Sequence, residues 1–258
     1  MFCYQCEQTA KGTGCTSFGV CGKDPETAAL QDLLLYEAKA ISVFAHRAAE
    51  LDARDCEVDR FVVEALFTTV TNVNFDPARL QAIIVRGAQV RDKAKQLYED
   101  ACAAKGQTPD ASTILTEAAN WQPAADLAGL LAQGEGVGVE TYVAKHGETI
   151  TGLQQLLTYG LKGAAAYADH AAILGQSDPA VYAYFHEALN FLAEGPDDVN
   201  ALVGQSLKCG EVNLKVMELL DTANTGAYGD PVPTPVRVTP VAGKAILVSG
   251  HDLKDLYE

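Results

Sequence analysis

Apolar residues recur at steps of three and four along most of the chain, and that period predicts helices. Leu30, Leu34, Ala38, Ile41, Ala45 and Ala48 share one face of about five turns, with Glu37, Arg47 and Glu50 on the opposite face. This helix starts at Asp24-Pro25-Glu26, where Asp is an N-cap, Pro is pre-set for the first helical position and Glu suits the positive helix end. Phe61, Ala65, Phe67 and Val70 give a shorter second helix, and Asp76-Pro77 opens a third that passes Leu80, Ile84 and Val90 toward Gly106. A polar stretch follows from Thr108 to Ser112, Trp121 falls in an irregular region, and Gly134, Gly136 and Gly138 predict a loop between two halves.

In the second half, Ile150, Leu153, Leu157, Leu161, Ala164, Ala168 and Ala171 mark a long helix from Glu148 to Leu174, ended by Gly175. Gly152, Gly160 and Gly163 lie inside it, each costing about 1 kcal/mol against alanine. Their retention predicts a central helix whose small residues let another backbone approach. Asp178-Pro179 opens a helix to about Ala193, Gly195-Pro196-Asp197 breaks the pattern, and a last helix spans Val199 to about Ala223.

The texture then changes. Pro231, Pro233, Pro235 and Pro240 exclude helix and predict a linker. Ala245-Ile246-Leu247-Val248-Ser249 followed by Gly250-His251-Asp252-Leu253 reads as a buried strand feeding a helix through a tight turn. The expected fold class is mainly α: a helical bundle domain with an N-terminal Cys-rich loop, followed by the first βα unit of an incomplete α/β domain. The expected boundaries are 1–225 for the helical domain, with the loop at 1–23, then 226–241 for the linker and 242–258 for the start of the truncated domain.

Composition narrows the function. With 34 acidic against 19 basic residues the net charge is −15, which would repel a nucleic acid, so no nucleic-acid partner is expected. No run of eighteen apolar residues lacks charge and no basic-apolar leader opens the chain. The expectation is therefore a cytoplasmic protein without a membrane partner.

Cysteine carries the chemical signal. Seven cysteines are an odd number for a disulfide framework, and Cys3, Cys6, Cys15 and Cys21 crowd into one glycine-containing loop. Both structural zinc and iron–sulfur clusters accept four thiolates. Zinc sites usually pair two short Cys-x2-Cys knuckles and only the first pair is short here, so spacing favours iron–sulfur without excluding zinc. Cys56, Cys102 and Cys209 have no neighbouring cysteine and read as core or surface residues.

The opening Met-Phe-Cys-Tyr-Gln-Cys-Glu-Gln-Thr-Ala, with Gly14-Cys15-Thr16, Gly19-Val20-Cys21-Gly22-Lys23 and Glu26-Thr27-Ala28-x-Leu30-Gln31-Asp32-Leu33, resembles the N-terminus of the hybrid-cluster or prismane proteins, a family of hydroxylamine reductases. The likeness continues through Gly160-Leu161-Lys162-Gly163, Leu219-Leu220-Asp221 and Ser249-Gly250-His251-Asp252-Leu253, spanning the chain. It implies a [4Fe-4S] cluster on Cys3, Cys6, Cys15 and Cys21, and a second, hybrid iron–sulfur–oxygen cluster with His251 as one ligand and catalytic residue. The other hybrid-cluster ligands lie beyond this turn in the family, so the 258-residue chain alone is expected to be inactive. The implied enzyme reduces hydroxylamine, and by relation nitric oxide, with electrons from a reductase partner.

Other readings stand beside this one. From the residues alone, the favoured reading of His251 is a helix N-terminal residue bonded locally, and it is the family resemblance that turns it into a ligand. His146-Gly147-Glu148 repeats a family tripeptide at an unrelated position and reads as coincidence. His170 and His186, next to Asp169 and Glu187, read as half-buried histidines paired with carboxylates, and His46 and His146 as surface positions. The competing function is a stand-alone helical iron–sulfur electron-transfer module without substrate chemistry.

Overall fold

The computed structural model describes residues 1–247 and residue 254. Among the described residues, eight α-helices follow the N-terminal loop: α1 Pro25–Glu50, α2 Cys56–Thr68, α3 Pro77–Ala104, α4 Thr113–Asn120, α5 Leu127–Gly136, α6 Val139–Ile173, α7 Pro179–Ala193 and α8 Val199–Tyr228. The described residues contain no β-sheet. Their one strand-like feature is an isolated bridge between Cys3 and Cys15.

Aspartate caps set most of the helix starts. Asp24 Oδ1 accepts from the Thr27 amide at 2.6 Å, Asp76 from Ala78 at 2.9 Å, Asp178 from Ala180 at 2.8 Å and Asp198 from Ala201 at 2.8 Å. Each satisfies an amide that has no intrahelical partner, a contribution of about 1 kcal/mol.

The central helix is α1 rather than α6. It packs against α2, α3, α4, α5 and α7, whereas α6 packs mainly on α8 and α2. The stripe read from the sequence covers only part of α1; Leu33, Leu35, Val43 and Phe44 make it apolar on its other sides too, and a helix apolar all round belongs inside. Glu37, expected on the outer face, is 0% exposed, with Oε1 3.8 Å from Arg91 Nη1 on α3.

Two further expectations change. Gly134 and Gly136 belong to helix α5, and Gly138 caps α6, so no large loop separates the halves. The close approach at Gly134 explains the residue: a Cβ there would lie 2.2 Å from the Ala29 carbonyl oxygen on α1. On α6, Gly160 does face a neighbour, since a Cβ would lie 3.1 Å from Cys209 Sγ on α8, but Gly163 opens to free space. The continuous part of α6 begins at Glu148, as the periodicity predicts. Gly147, with φ of 79° and ψ of 167°, breaks it from the turns that start at Val139.

Helix α8 runs to Tyr228, and residues 229–247 have no regular secondary structure. Residues 245–247 of the expected strand are unpaired, and Ile246 and Leu247 are exposed, because no described segment offers a strand edge to either. Val248, Ser249 and the turn carrying His251 lie outside the described residues. Between α6 and α8 an apolar groove of about 540 Å³ is lined by Leu156, Gly160, Tyr167, Val203 and Leu207 among others.

Candidate metal centre

The N-terminal loop is drawn together by its own backbone. Cys3 and Cys15 exchange amide-to-carbonyl hydrogen bonds of 3.0 and 2.7 Å, so the first and third cysteines sit side by side although eleven residues intervene. Gly14 makes the return possible: its φ of 98° strains any side chain, and a Cβ would lie 3.2 Å from the Cys3 carbonyl oxygen. Cys21 is held in a tight turn, in which the Gly19 amide donates to the Lys23 carbonyl at 2.7 Å and the Gly22 amide to the Gly19 carbonyl at 2.9 Å. A Cβ on Gly19 would approach Cys21 Sγ to 3.2 Å, so the glycine keeps that sulfur's surroundings open.

All four thiols are free, with Cys15 buried and Cys3, Cys6 and Cys21 half-buried. Backbone hydrogen bonds from Ala10 and Val20, joined by the Lys23 charge, hold the Cys15 thiol below its ordinary pKa. Lys23 Nζ lies 3.9 Å from Cys3 Sγ. Free thiols, amides directed at sulfur and an adjacent ammonium are the surroundings that a thiolate-bound group of net negative charge requires. Four free thiols in one short loop are the donor chemistry that an iron–sulfur cluster takes. Among the described residues no three His, Cys, Asp or Glu side chains, the four N-terminal cysteines included, come together in a group that could hold a metal ion; the backbone pairs Cys3 with Cys15, but the four thiols do not converge on one point.

Behind this loop lies an internal polar chamber of about 20 Å³, lined by Cys3, Gln5, Lys23, Asp32, Lys39, Tyr142, Gln155, Tyr159 and Lys162 among others. Lys23, Lys39 and Lys162 are 2%, 6% and 4% exposed. Lys23 donates to Gln31 Oε1 at 2.6 Å, and Gln31 in turn donates to the Asn74 carbonyl at 2.8 Å. Lys39 Nζ sits 4.9 Å from the centre of the Tyr142 ring and Lys162 Nζ 5.8 Å from that of Tyr159. With its amide oxygen turned to Lys162, Gln5 accepts from Nζ at 3.1 Å and donates to the Thr69 carbonyl at 3.2 Å. Burial pushes the Asp32 carboxyl up and the Lys162 ammonium down, while each charge favours the other's ionised form. Desolvation also raises Tyr159 and Tyr4, whose rings meet edge to face at 5.7 Å.

The sequence reading singled out none of these lysines. One signal is available: Lys162 stands in the run Gly160 to Ala166, otherwise made of apolar and small residues, where a charge needs a reason. Lys23 and Asp32 carry no such signal in the sequence.

The remaining candidates are structural. Cys56 is exposed at the start of α2, and Cys102 and Cys209 are buried in the helical core. His170 packs edge to face on Phe67 at 5.3 Å. His146 is half-buried rather than at the surface, stacked on Tyr142 with ring centres 6.5 Å apart. His46, also half-buried, has Nε2 3.9 Å from Glu50 Oε1. His186 is fully buried and its carboxylate partner is Asp59, not Glu187. With Ser42 Oγ 3.0 Å from His186 Nδ1, this arrangement has the outline of a hydrolase triad. Ser42 is 0% exposed, however, so no substrate reaches its hydroxyl and the chain of hydrogen bonds ties α1, α2 and α7 together.

Among the described residues no helix is long and apolar enough to cross a membrane. The profile of the Prismane/CO dehydrogenase family matches residues 1–258. A hydroxylamine reductase of Rhodospirillum rubrum is 55% identical over 256 residues, covering 99% of this chain and 46% of that protein. Proteins of the same name from Syntrophobacter fumaroxidans and Methanocella arvoryzae are 53% and 49% identical, over 100% and 99% of this chain and again 46% of their own length. The chain thus spans about half the length of these curated relatives.

Proposed function

The chain belongs to the Prismane/CO dehydrogenase family, and from that premise we propose that it forms the helical, electron-relaying part of a hydroxylamine reductase. In this reading Cys3, Cys6, Cys15 and Cys21 hold a [4Fe-4S] cluster, and His251 is a ligand of a hybrid iron–sulfur–oxygen cluster completed by residues of the longer protein. The overall reaction takes hydroxylamine, two electrons and two protons to ammonia and water, with nitric oxide as a related substrate. The electrons come from a separate reductase. When bound, the N-terminal cluster supplies one-electron storage between that donor and the substrate site.

The observation that carries the reading is the pairing of Cys3 with Cys15 by two backbone hydrogen bonds. It holds the backbones of two of the four cysteines side by side before any metal arrives, which supports the reading because less ordering entropy is left to be lost on binding. Gly14 and Gly19 keep side chains out of the loop's inner space. The Ala10 and Val20 contacts favour the Cys15 thiolate, the form that ligates. The rings of Phe2 and Tyr4, which flank Cys3 in the chain, lie 5.3 Å apart. Low polarity beside a cluster, like hydrogen bonds to its sulfurs, sets the potential at which it works.

The test is metal and sulfide analysis of the anaerobically purified full-length protein, together with its ammonia yield from hydroxylamine. Iron and sulfide lost from the N-terminal site in Cys15→Ser, and turnover abolished in His251→Ala with that site's spectrum intact, are the expected results. Zinc at the N-terminal cysteines, or unchanged turnover in His251→Ala, would overturn the reading.

A further inference from the structure

The charged side chains lining the chamber behind Cys3 do not balance: three lysines face one carboxylate, a surplus of two positive charges. Apart from Asp32, the contacts of these lysines are neutral: Gln31 and the Cys3 sulfur for Lys23, the Tyr142 face for Lys39, and Gln5 with the Tyr159 face for Lys162. Keeping ammonium groups this deeply buried costs several kcal/mol per ion unless opposite charge stands close. The chamber, at about 20 Å³, has room for about one water and not for an oxyanion. The counter-charge must therefore stand at the chamber wall, and of the loop residues in that wall, Phe2, Cys3, Gln5 and Lys23, Cys3 is the one whose side chain can carry negative charge.

We propose that Lys23, Lys39 and Lys162 are potential-setting residues for the group bound by the N-terminal cysteines, their buried charge favouring its reduced form and raising its reduction potential, with Asp32 acting in the opposite sense. This inference rests on the reading that Cys3, Cys6, Cys15 and Cys21 bind an iron–sulfur cluster. A cluster held by four thiolates is anionic in both redox states and more so when reduced, so nearby positive charge stabilises the reduced state more. In the chamber's low-dielectric surroundings that difference is screened little. These residues touch no substrate; they act through the field.

The test is a potentiometric titration of the full-length, iron-loaded protein, followed by electron paramagnetic resonance. The relevant signal is the one that Cys15→Ser removes. Lys162→Met is expected to shift its midpoint negative by about 59 mV, a tenfold fall in the reduced-to-oxidised ratio at a given potential. Lys162→Arg, which keeps the charge, should stay within twofold of the parent protein. Asp32→Asn, which removes the one negative charge, should shift the midpoint positive. A general loosening of the loop would move both neutralising variants the same way, so opposite signs separate charge from structure. Should Lys162→Met fail to load iron, Lys39→Met and Asp32→Asn make the same comparison. Unchanged midpoints with full iron content, or shifts of one sign in both neutralising variants, would overturn the inference. Absence of iron at the N-terminal cysteines of the parent protein would instead overturn the function proposed above, and this inference with it.

Discussion

Nε2 of His186 on α7 lies 3.0 Å from Oδ1 of Asp59 on α2, a contact between residues 127 positions apart. The other imidazole nitrogen meets Ser42 Oγ on α1 at 3.0 Å, and the other Asp59 oxygen takes Arg54 Nη2 at 2.8 Å. Three helices are thereby joined through one buried polar chain whose members all have partners. Asp59→Ala removes the middle link and leaves a buried imidazole nitrogen unsatisfied. The expected loss is about 1–3 kcal/mol, read as a lowered urea midpoint with unchanged slope. A midpoint equal to that of the parent protein would show that the network contributes nothing.

A second buried group gives the protein a pH dependence. Desolvation raises the Glu37 carboxyl to about 8, against the opposing pull of Arg91. A raised acid binds its proton more tightly in the folded chain, so its contribution to stability is full below the unfolded value of about 4.5 and is lost as pH rises through about 8. Glu37→Gln should remove this loss. Relative to the parent it gains stability from pH 5 to pH 8, at up to about 1.4 kcal/mol per pH unit. Parallel stability curves for the two proteins would count against the assignment.

Gly134 and Gly136 lie two residues apart in α5 and should respond oppositely to alanine. At Gly134 the new Cβ meets the Ala29 carbonyl oxygen at 2.2 Å, so α5 must move off α1; at Gly136 nothing lies within 4 Å. Gly134→Ala is expected to lower the thermal midpoint, with a cost of about 1–3 kcal/mol as for other overpacked sites. Gly136→Ala is expected to be neutral or to add up to about 1 kcal/mol through helix propensity. Calorimetry of the two variants decides it.

At the cysteine loop, Gly14→Ala places a side chain at a φ of 98° and 3.2 Å from the Cys3 carbonyl oxygen. The Cys3–Cys15 backbone pair should open, and iron bound at the N-terminal site should fall several-fold while the helical circular dichroism stays unchanged. Gly12→Ala is the control, since it shares a positive φ of 68° but has nothing within 4 Å. Equal iron retention in both variants would show that the backbone pair is not what holds the site.

Helix positions were legible in the sequence because their causes are local. Apolar spacing, the caps at Asp24, Asp76 and Asp178, and the prolines that follow them act within one or two turns, and α1, α3 and α7 begin where these signals stand. The clustering of Cys3, Cys6, Cys15 and Cys21 was equally plain, since spacing alone brings four thiols into one short loop. Which helix lies at the centre was not legible, because a helix apolar on every side and one with a single stripe both satisfy the same period, and only their neighbours distinguish α1 from α6. Nor were the buried ionic groups. Glu37 looks like any solvent-facing acid until α3 brings Arg91 beside it, and Lys162 and Lys23, 139 positions apart, share a chamber only because α6 returns past the start of α1. The sequence by itself determined the helices and the thiol loop through short-range sterics and hydrogen bonding; tertiary packing alone decided which charges are buried, and therefore what electric field the thiols feel.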